Sequence, residues 1–150
     1  MRALWRAIRD NVTRRAGGGA AGVRRVALLH RDCGSCNGCE IELRLMASAA
    51  HDAARRGLMF VSAPQHADVL VVTGPVTRNS QPALGAAWDA MPDPKMVVAV
   101  GDCAVDGGVF RGSYAVAGGV GSTLLVDGAI RGCPPTAQQI LDGLAGLFEV

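Results

Sequence analysis

The chain has 150 residues, 49% of them hydrophobic but only 4% aromatic, and a formal net charge of +2. That length suits one domain with a single core, and no apolar run approaches the roughly 18 residues that a bilayer span requires. The charge is lopsided: residues 1–31 hold eight Arg and one acid, Asp10, whereas residues 32–150 hold seven basic and twelve acidic residues. A basic leader on an acidic, aromatic-poor domain argues for docking to an acidic protein or anionic lipid and against nucleic acid.

In chain order, residues 1–15 place Leu4, Trp5, Ile8 and Val12 at helical spacing between arginines, which predicts an amphipathic basic leader helix. Residues 16–24 read as a Gly-rich linker, and residues 25–150 as the folded domain. Arg14 and Arg15 are followed by a short Gly-rich run closed by Arg24 and Arg25, a poor signal-peptide core, so neither secretion nor a transmembrane helix is expected. Val26 to Leu29 predicts a buried strand. Residues 39–57 predict a helix with Ile41, Leu45, Ala49 and Ala53 inward and Gly57 as its stop. Strands are expected at 58–62, 67–74 and 95–101, and a short helix at 81–91 with Pro82 near its start. A long Gly-rich stretch follows. Residues 136–150 predict a terminal helix with Ile140, Leu141, Leu144 and Leu147 inward. Strands alternating with helices imply an α/β fold with an open parallel sheet, whose ligands sit beyond the carboxyl ends of the strands.

The cysteines carry the chemistry. Three of the five, Cys33, Cys36 and Cys39, fall within seven positions after the first strand; Cys103 follows a later strand, and Cys133 stands in "GCPP". An odd count in a chain without an export signal disfavours a disulfide framework. A redox dithiol at Cys36 and Cys39 would leave Cys103 and Cys133 without a role. Structural zinc prefers two paired knuckles, and only one pair is present. An iron–sulfur cube accepts thiolates from separated loops, and Gly34, Gly38, Gly101 and Gly132 flank these cysteines, with Pro134 following Cys133. Spacing alone does not choose between Cys33–Cys36 and Cys36–Cys39 as the paired ligands. His30, His51 and His66 have no ligand-like spacing, and no nucleotide motif is present.

The words "SCNGCEIEL", "ADVLVVTGPVTRNS", "MPDPKMVVAVGDCA", the run from Gly107 to Tyr114, and "GCPPTAQQIL" resemble one family over about residues 25–145. It is the small, cluster-carrying subunit shared by complex I and by the energy-converting membrane-bound [NiFe]-hydrogenases, including formate hydrogenlyase and Ech-type enzymes. The resemblance implies a flavodoxin-like fold with helices on both faces and one [4Fe–4S] cluster at the carboxyl edge of the strands. Cys36, Cys39, Cys103 and Cys133 would be its ligands, with Cys33 a spare or substitute. The implied function is relay of single electrons beside the active site of a large catalytic subunit, with no catalytic residue on this chain. Further implied partners are a ferredoxin-like iron–sulfur subunit and membrane subunits, the whole lying on the cytoplasmic face of the membrane. The complex I members typically carry adjacent cysteines where this chain has Cys36-Asn37-Gly38-Cys39, which resembles the hydrogenase branch. A complex I (NADH-quinone oxidoreductase) subunit passing electrons to quinone is the alternative, and a metal-stabilised assembly module without redox turnover is a second. By the same analogy Gly38, Gly101 and Gly132 permit close approach to the cluster. The analogy also makes Gly74, Pro75 and Thr77 a loop beside it. Read from its own position, Glu40 suits the positive end of its helix and would alternatively gate protons at the subunit interface, and Arg78 is a solvated surface residue or else pairs with an acidic group of a partner.

Overall fold

The structure is a computed structural model that describes Ala7 and residues 25–148. Apart from Ala7, the expected leader helix and linker lie outside the described residues. Five strands form one parallel sheet: β1 (Val26–Asp32), β2 (Leu58–Phe60), β3 (Val69–Thr73), β5 (Met96–Val100) and β7 (Gly128–Ile130), in the order β2-β1-β3-β5-β7. Counting only these parallel strands, the order is 2-1-3-4-5, the doubly wound flavodoxin-like arrangement. A short antiparallel pair, β4 (Val76–Thr77) with β6 (Val116–Gly118), stands apart from the sheet.

Strands β3 and β5 are buried at every position, as a central parallel strand covered on both faces must be. Alternate residues serve opposite faces. Val69, Val71, Met96 and Val98 join Leu28, Leu43, Met46, Ile140, Leu141 and Leu144 in one core cluster. Leu70, Val72, Val97 and Ala99 join Leu29, Leu84, Ala87 and Ala104 in the other. Helices α1 (Gly38–Met46) and α4 (Ala137–Phe148) therefore cover one face, and α2 (Gln81–Asp89) and α3 (Asp102–Asp106) the other. Two carboxylates pin the strand starts: Asp68 Oδ2 accepts from Ala27 N–H at 3.0 Å, and Asp127 Oδ2 from Val97 N–H at 2.9 Å. Leu144 is fully buried, so Leu144→Ala should cost about 2–5 kcal/mol by lost transfer energy and cavity formation. Urea unfolding of the two proteins checks this.

The first helix departs from its expectation. It ends at Met46 rather than running to Gly57, because the chain turns there: Ser48 Oγ donates to the Leu45 carbonyl at 2.6 Å, Asp52 takes a positive φ of 48°, and Ala53 N–H reaches back to the Met46 carbonyl. Its inward face is also rotated. Cys39, Leu43 and Met46 are buried, while Ile41 and Leu45 are 50% and 45% exposed. The Gly-rich stretch after β5 holds α3, β6 and β7, none of which has a strong periodic signal. In the terminal helix Ile140, Leu141 and Leu144 are buried as expected, and Leu147 packs partly buried beside them.

Candidate metal centre

Three loops at the carboxyl edge of the sheet carry the cysteines. After β1, Asp32 Oδ1 accepts from Gly34 N–H at 2.9 Å and Ser35 N–H at 2.7 Å, which folds the chain back toward α1. Burial would raise the Asp32 pKa, but those two amides outweigh it and hold the carboxyl below its ordinary value. Asn37, with φ 75°, makes the left-handed step into α1, whose first turn carries Cys39. After β5, Gly101 turns the chain into α3, where Cys103 is the second residue. After β7, Gly132 leads to Cys133. The last two loops are stitched together, with Gly101 N–H donating to the Ile130 carbonyl at 2.8 Å and Asp102 N–H to the Gly132 carbonyl at 2.9 Å.

The thiols of Cys36, Cys39, Cys103 and Cys133 share one neighbourhood. Burial pushes the Cys39 thiol up to about 11, and the adjacent Cys103, Cys36 and Cys133 thiols and Glu40 add to the rise. Cys103 is raised by burial and then by Cys133 and Cys36, with the Val109 amide acting against them. Cys36 and Cys133 are exposed and Cys39 is buried, so the group opens outward from the sheet edge. Among the described residues, no three Cys, His, Asp or Glu side chains stand close enough together to hold a single metal ion. An iron–sulfur cube takes four thiolates and accepts them from separated loops. The donor set, all thiol and drawn from three loops, fits such a cube.

Cys33 points elsewhere. It is 2% exposed and packs in the core cluster of Leu29, Leu70, Val72, Val76 and Leu84. Its thiol is raised by burial, offset in part by a hydrogen bond with Ser80, and none of the other thiols acts on it.

Glycines set how closely the loops approach. A Cβ on Gly101 would lie 2.5 Å from Cys39 Sγ, and one on Gly38 would touch Cys36 Sγ and Pro134 Cγ, each at 3.6 Å. At Gly74, with φ 75°, a Cβ would lie 2.4 Å from the Ser35 nitrogen, so the Gly74–Thr77 segment lies directly against the cysteine loop. Thr77 N–H donates to the Cys33 carbonyl at 3.2 Å, and Pro75 is buried. Arg78 is exposed and its Nε donates to the Tyr114 carbonyl at 2.7 Å, tying β4 to the loop before β6. Glu40 Oε1 accepts from Ser35 Oγ at 2.6 Å and Thr73 Oγ1 at 3.2 Å, while Glu42 Oε2 accepts from Ala137 N–H at 2.7 Å at the start of α4.

Sequence reasoning missed the partners of Glu40. Thr73 Oγ1 also lies 2.9 Å from His30 Nε2, so His30, Thr73, Glu40 and Ser35 form a hydrogen-bonded row. The row borders an open groove of about 380 Å³ lined by His30, Glu40, Leu43, Arg44 and Phe60. Burial lowers the His30 pKa against the pull of Glu40 and Asp32. No local signal marks the row, because Thr73 is brought to Glu40 only by the pairing of β3 with β1.

The raised thiols give a pH dependence. In the unfolded chain Cys39 titrates near its ordinary 9.0, and in the metal-free fold at about 11. The unfolded state therefore loses its proton first as pH rises. Stability from this group is full below about pH 9 and declines toward about pH 11. Urea unfolding of the metal-free, reduced chain over that window should show the decline, and Cys39→Ser should flatten it.

Residues 36–147 match the family described as "NADH ubiquinone oxidoreductase, 20 Kd subunit". The chain is 44% identical over 131 residues to formate hydrogenlyase subunit 7 of Escherichia coli, covering 85% of this chain and 51% of that one. It is 40% identical to the probable membrane-bound hydrogenase subunit mbhJ of Pyrococcus furiosus, covering 81% of this chain and 73% of the relative. A chain of the membrane-bound sulfane sulfur reductase, an archaeal respiratory membrane complex, superposes with a TM-score of 0.73 at 29% identity, covering 85% of this chain and 70% of its own. The chain thus spans about half the length of the formate hydrogenlyase subunit.

Proposed function

The chain belongs to the family of the 20 Kd subunit of NADH ubiquinone oxidoreductase, and from that premise we propose that it is an electron-relay subunit of a membrane-associated oxidoreductase complex. The branch we favour is the [NiFe]-hydrogenase and formate hydrogenlyase type. The observation that carries the reading is the convergence of the Cys36, Cys39, Cys103 and Cys133 thiols from three loops at the carboxyl edge of the sheet. These four would hold one [4Fe–4S] cluster, which when bound supplies a one-electron redox centre.

Each neighbouring residue then has a task set by its position. Gly101 and Gly38 leave room for sulfur beside the backbone. Gly74, Pro75, Thr77 and Gly132 close the inner side, where the core excludes water from Cys39. Glu40, held by the Ser35 and Thr73 hydroxyls, sits where a proton could move between the groove and the cysteine loop. Cys36, Cys133, Pro134 and Arg78 are exposed and would face a large catalytic subunit. A ferredoxin-like subunit and membrane subunits complete the proposed complex, docked peripherally on the cytoplasmic face. Among the described residues, no helix is long and apolar enough to cross a membrane.

The family's own description supports a second reading, a small subunit of complex I that passes electrons to quinone; Cys36-Asn37-Gly38-Cys39, in place of adjacent cysteines, weighs against it. Anaerobic purification of the tagged chain with its partners tests both. Nickel in the complex, with hydrogen-dependent reduction of the iron–sulfur signal, is the expected result. A nickel-free complex that reduces quinone would favour the second reading. A complex without iron on this chain would leave the assembly-module reading.

A further inference from the structure

The two loops that bear Cys103 and Cys133 share an ionic lattice centred on one carboxylate. Asp106 Oδ1 accepts from Gly108 N–H at 3.0 Å. Its Oδ2 lies 2.7 Å from Arg111 Nη2 and 3.3 Å from Arg131 Nη1. Arg131 also approaches Asp102 Oδ1 at 3.8 Å, and that oxygen accepts from Gly132 N–H at 3.1 Å. Arg111 Nε donates to the Asp106 carbonyl at 3.1 Å. The Asp106 carboxyl is lowered to about 2, first by the Gly108 amide and then by Arg111.

Ion pairs this exposed contribute little to stability, so the role of the lattice is to be sought in what it shapes. The turn it holds is built against a thiol. Gly107 and Gly108 have φ of 93° and 50°, Gly107 N–H donates to the Cys103 carbonyl at 2.9 Å, and a Cβ on Gly108 would lie 2.9 Å from Cys103 Sγ. The backbone at Gly108 therefore passes close beside the sulfur, and the next amide, that of Val109, acts to lower the thiol pKa against the rise from burial. Hydrogen bonds to ligand sulfur are among the levers that set an iron–sulfur potential.

We propose that Asp106 is a positioning residue of the electron-carrying site: its carboxylate, steadied by Arg111 and Arg131, folds the turn over Cys103 so that the Val109 N–H is delivered to the Cys103 sulfur. This rests on the reading of Cys103 as an iron ligand. An N–H donor draws charge from the thiolate and favours the more negative, reduced state of whatever the thiolate holds. Removing it makes reduction harder.

The test uses the full-length chain as wild type, Asp106→Ala, Asp106→Asn and Arg131→Gln. Amide hydrogen exchange at Gly108 and Val109 is measured on the metal-free protein. Iron content and the midpoint potential, followed by electron paramagnetic resonance, are measured after anaerobic reconstitution. Asp106→Ala should speed Val109 exchange about tenfold or more and keep wild-type iron content. It should also lower the reduced-to-oxidised ratio at fixed potential about tenfold, a negative shift of about 59 mV for one electron. Asp106→Asn keeps an oxygen for the Gly108 amide and should restore most of both effects; Arg131→Gln should give a smaller change in the same direction. Wild-type exchange and midpoint in Asp106→Ala would overturn the proposal, as would an Asp106→Asn variant no better than Asp106→Ala. A wild-type chain that takes up no iron would overturn the electron-carrier reading and the redox role of Asp106 with it, while the exchange rates still decide whether Asp106 holds the turn.

Discussion

Serine at Cys39 is expected to abolish the iron and acid-labile sulfide retained by the chain after anaerobic reconstitution, and with them the low-temperature paramagnetic signal of the reduced protein. The same loss is expected for Cys36→Ser, Cys103→Ser and Cys133→Ser, whereas Cys33→Ser should keep about four irons per chain, as one cube requires. The contrast follows from where the sulfurs point. Cys39 is the buried member of the group, with the other three thiols acting on it; Cys33 lies in the opposite core cluster, among Leu29, Leu70 and Val72. Cys33→Ser should still register in stability, because it places a hydroxyl in an apolar core at about 1–3 kcal/mol unless Ser80 accepts it. A reconstituted Cys33→Ser that loses its iron while Cys39→Ser keeps it would move the ligand set upstream. Zinc without any iron-dependent signal in the wild type would sink the electron-relay reading altogether.

Gly101→Ala should be nearly as damaging, although it removes no ligand. Gly101 has φ 90° and ψ 153°, a backbone region that is essentially glycine-only and costs about 1–3 kcal/mol for other residues. The new methyl would also lie 2.5 Å from Cys39 Sγ, so either the sulfur or the β5–α3 turn must move. Iron content should fall to a small fraction of wild type, and the thermal midpoint should fall with it. Gly85→Ala is the control: it lies within α2, and nothing stands within 4 Å of its added Cβ, so it should leave iron uptake unchanged and stabilise the chain by up to about 1 kcal/mol. Full iron content in Gly101→Ala would show that the Cys39 sulfur has room to spare and that the close packing at this turn is incidental.

Much of this was legible without coordinates. The apolar runs at Val69–Thr73 and Met96–Val100 could only be strands covered on both faces, and the terminal helix announced its buried stripe through Ile140, Leu141 and Leu144. Alternation of strands and helices then placed the three cysteine loops at one sheet edge. Less was legible where the local signal is weak or ambiguous. Strands β6 and β7 have three residues each and sit in Gly-rich surroundings; they are strands only because β4 and β5 offer them open edges. In α1, apolar side chains occupy both candidate faces, so periodicity favours Ile41 and Leu45 as readily as Leu43 and Met46. Packing of α1 beside α4 under the sheet selects the second pair, and the Ser48 hydroxyl and the left-handed Asp52 end the helix early.

Residue types and their spacing set out the chemistry on offer: five thiols, the glycines beside them, and a chain pattern that brings their loops to one edge. Spacing alone could not separate Cys33 from Cys39, because C-x-x-C-x-x-C reads alike from either end, and only the family resemblance favoured Cys39. The fold gives the two thiols different surroundings. Cys33 follows the last residue of an extended strand, where its side chain falls into the core beneath α2, and Cys39 lies in the first turn of a helix, where its side chain turns toward Cys103 and Cys133. Side-chain direction is fixed by the path of the backbone, and that path is set by sheet partners dozens of residues away.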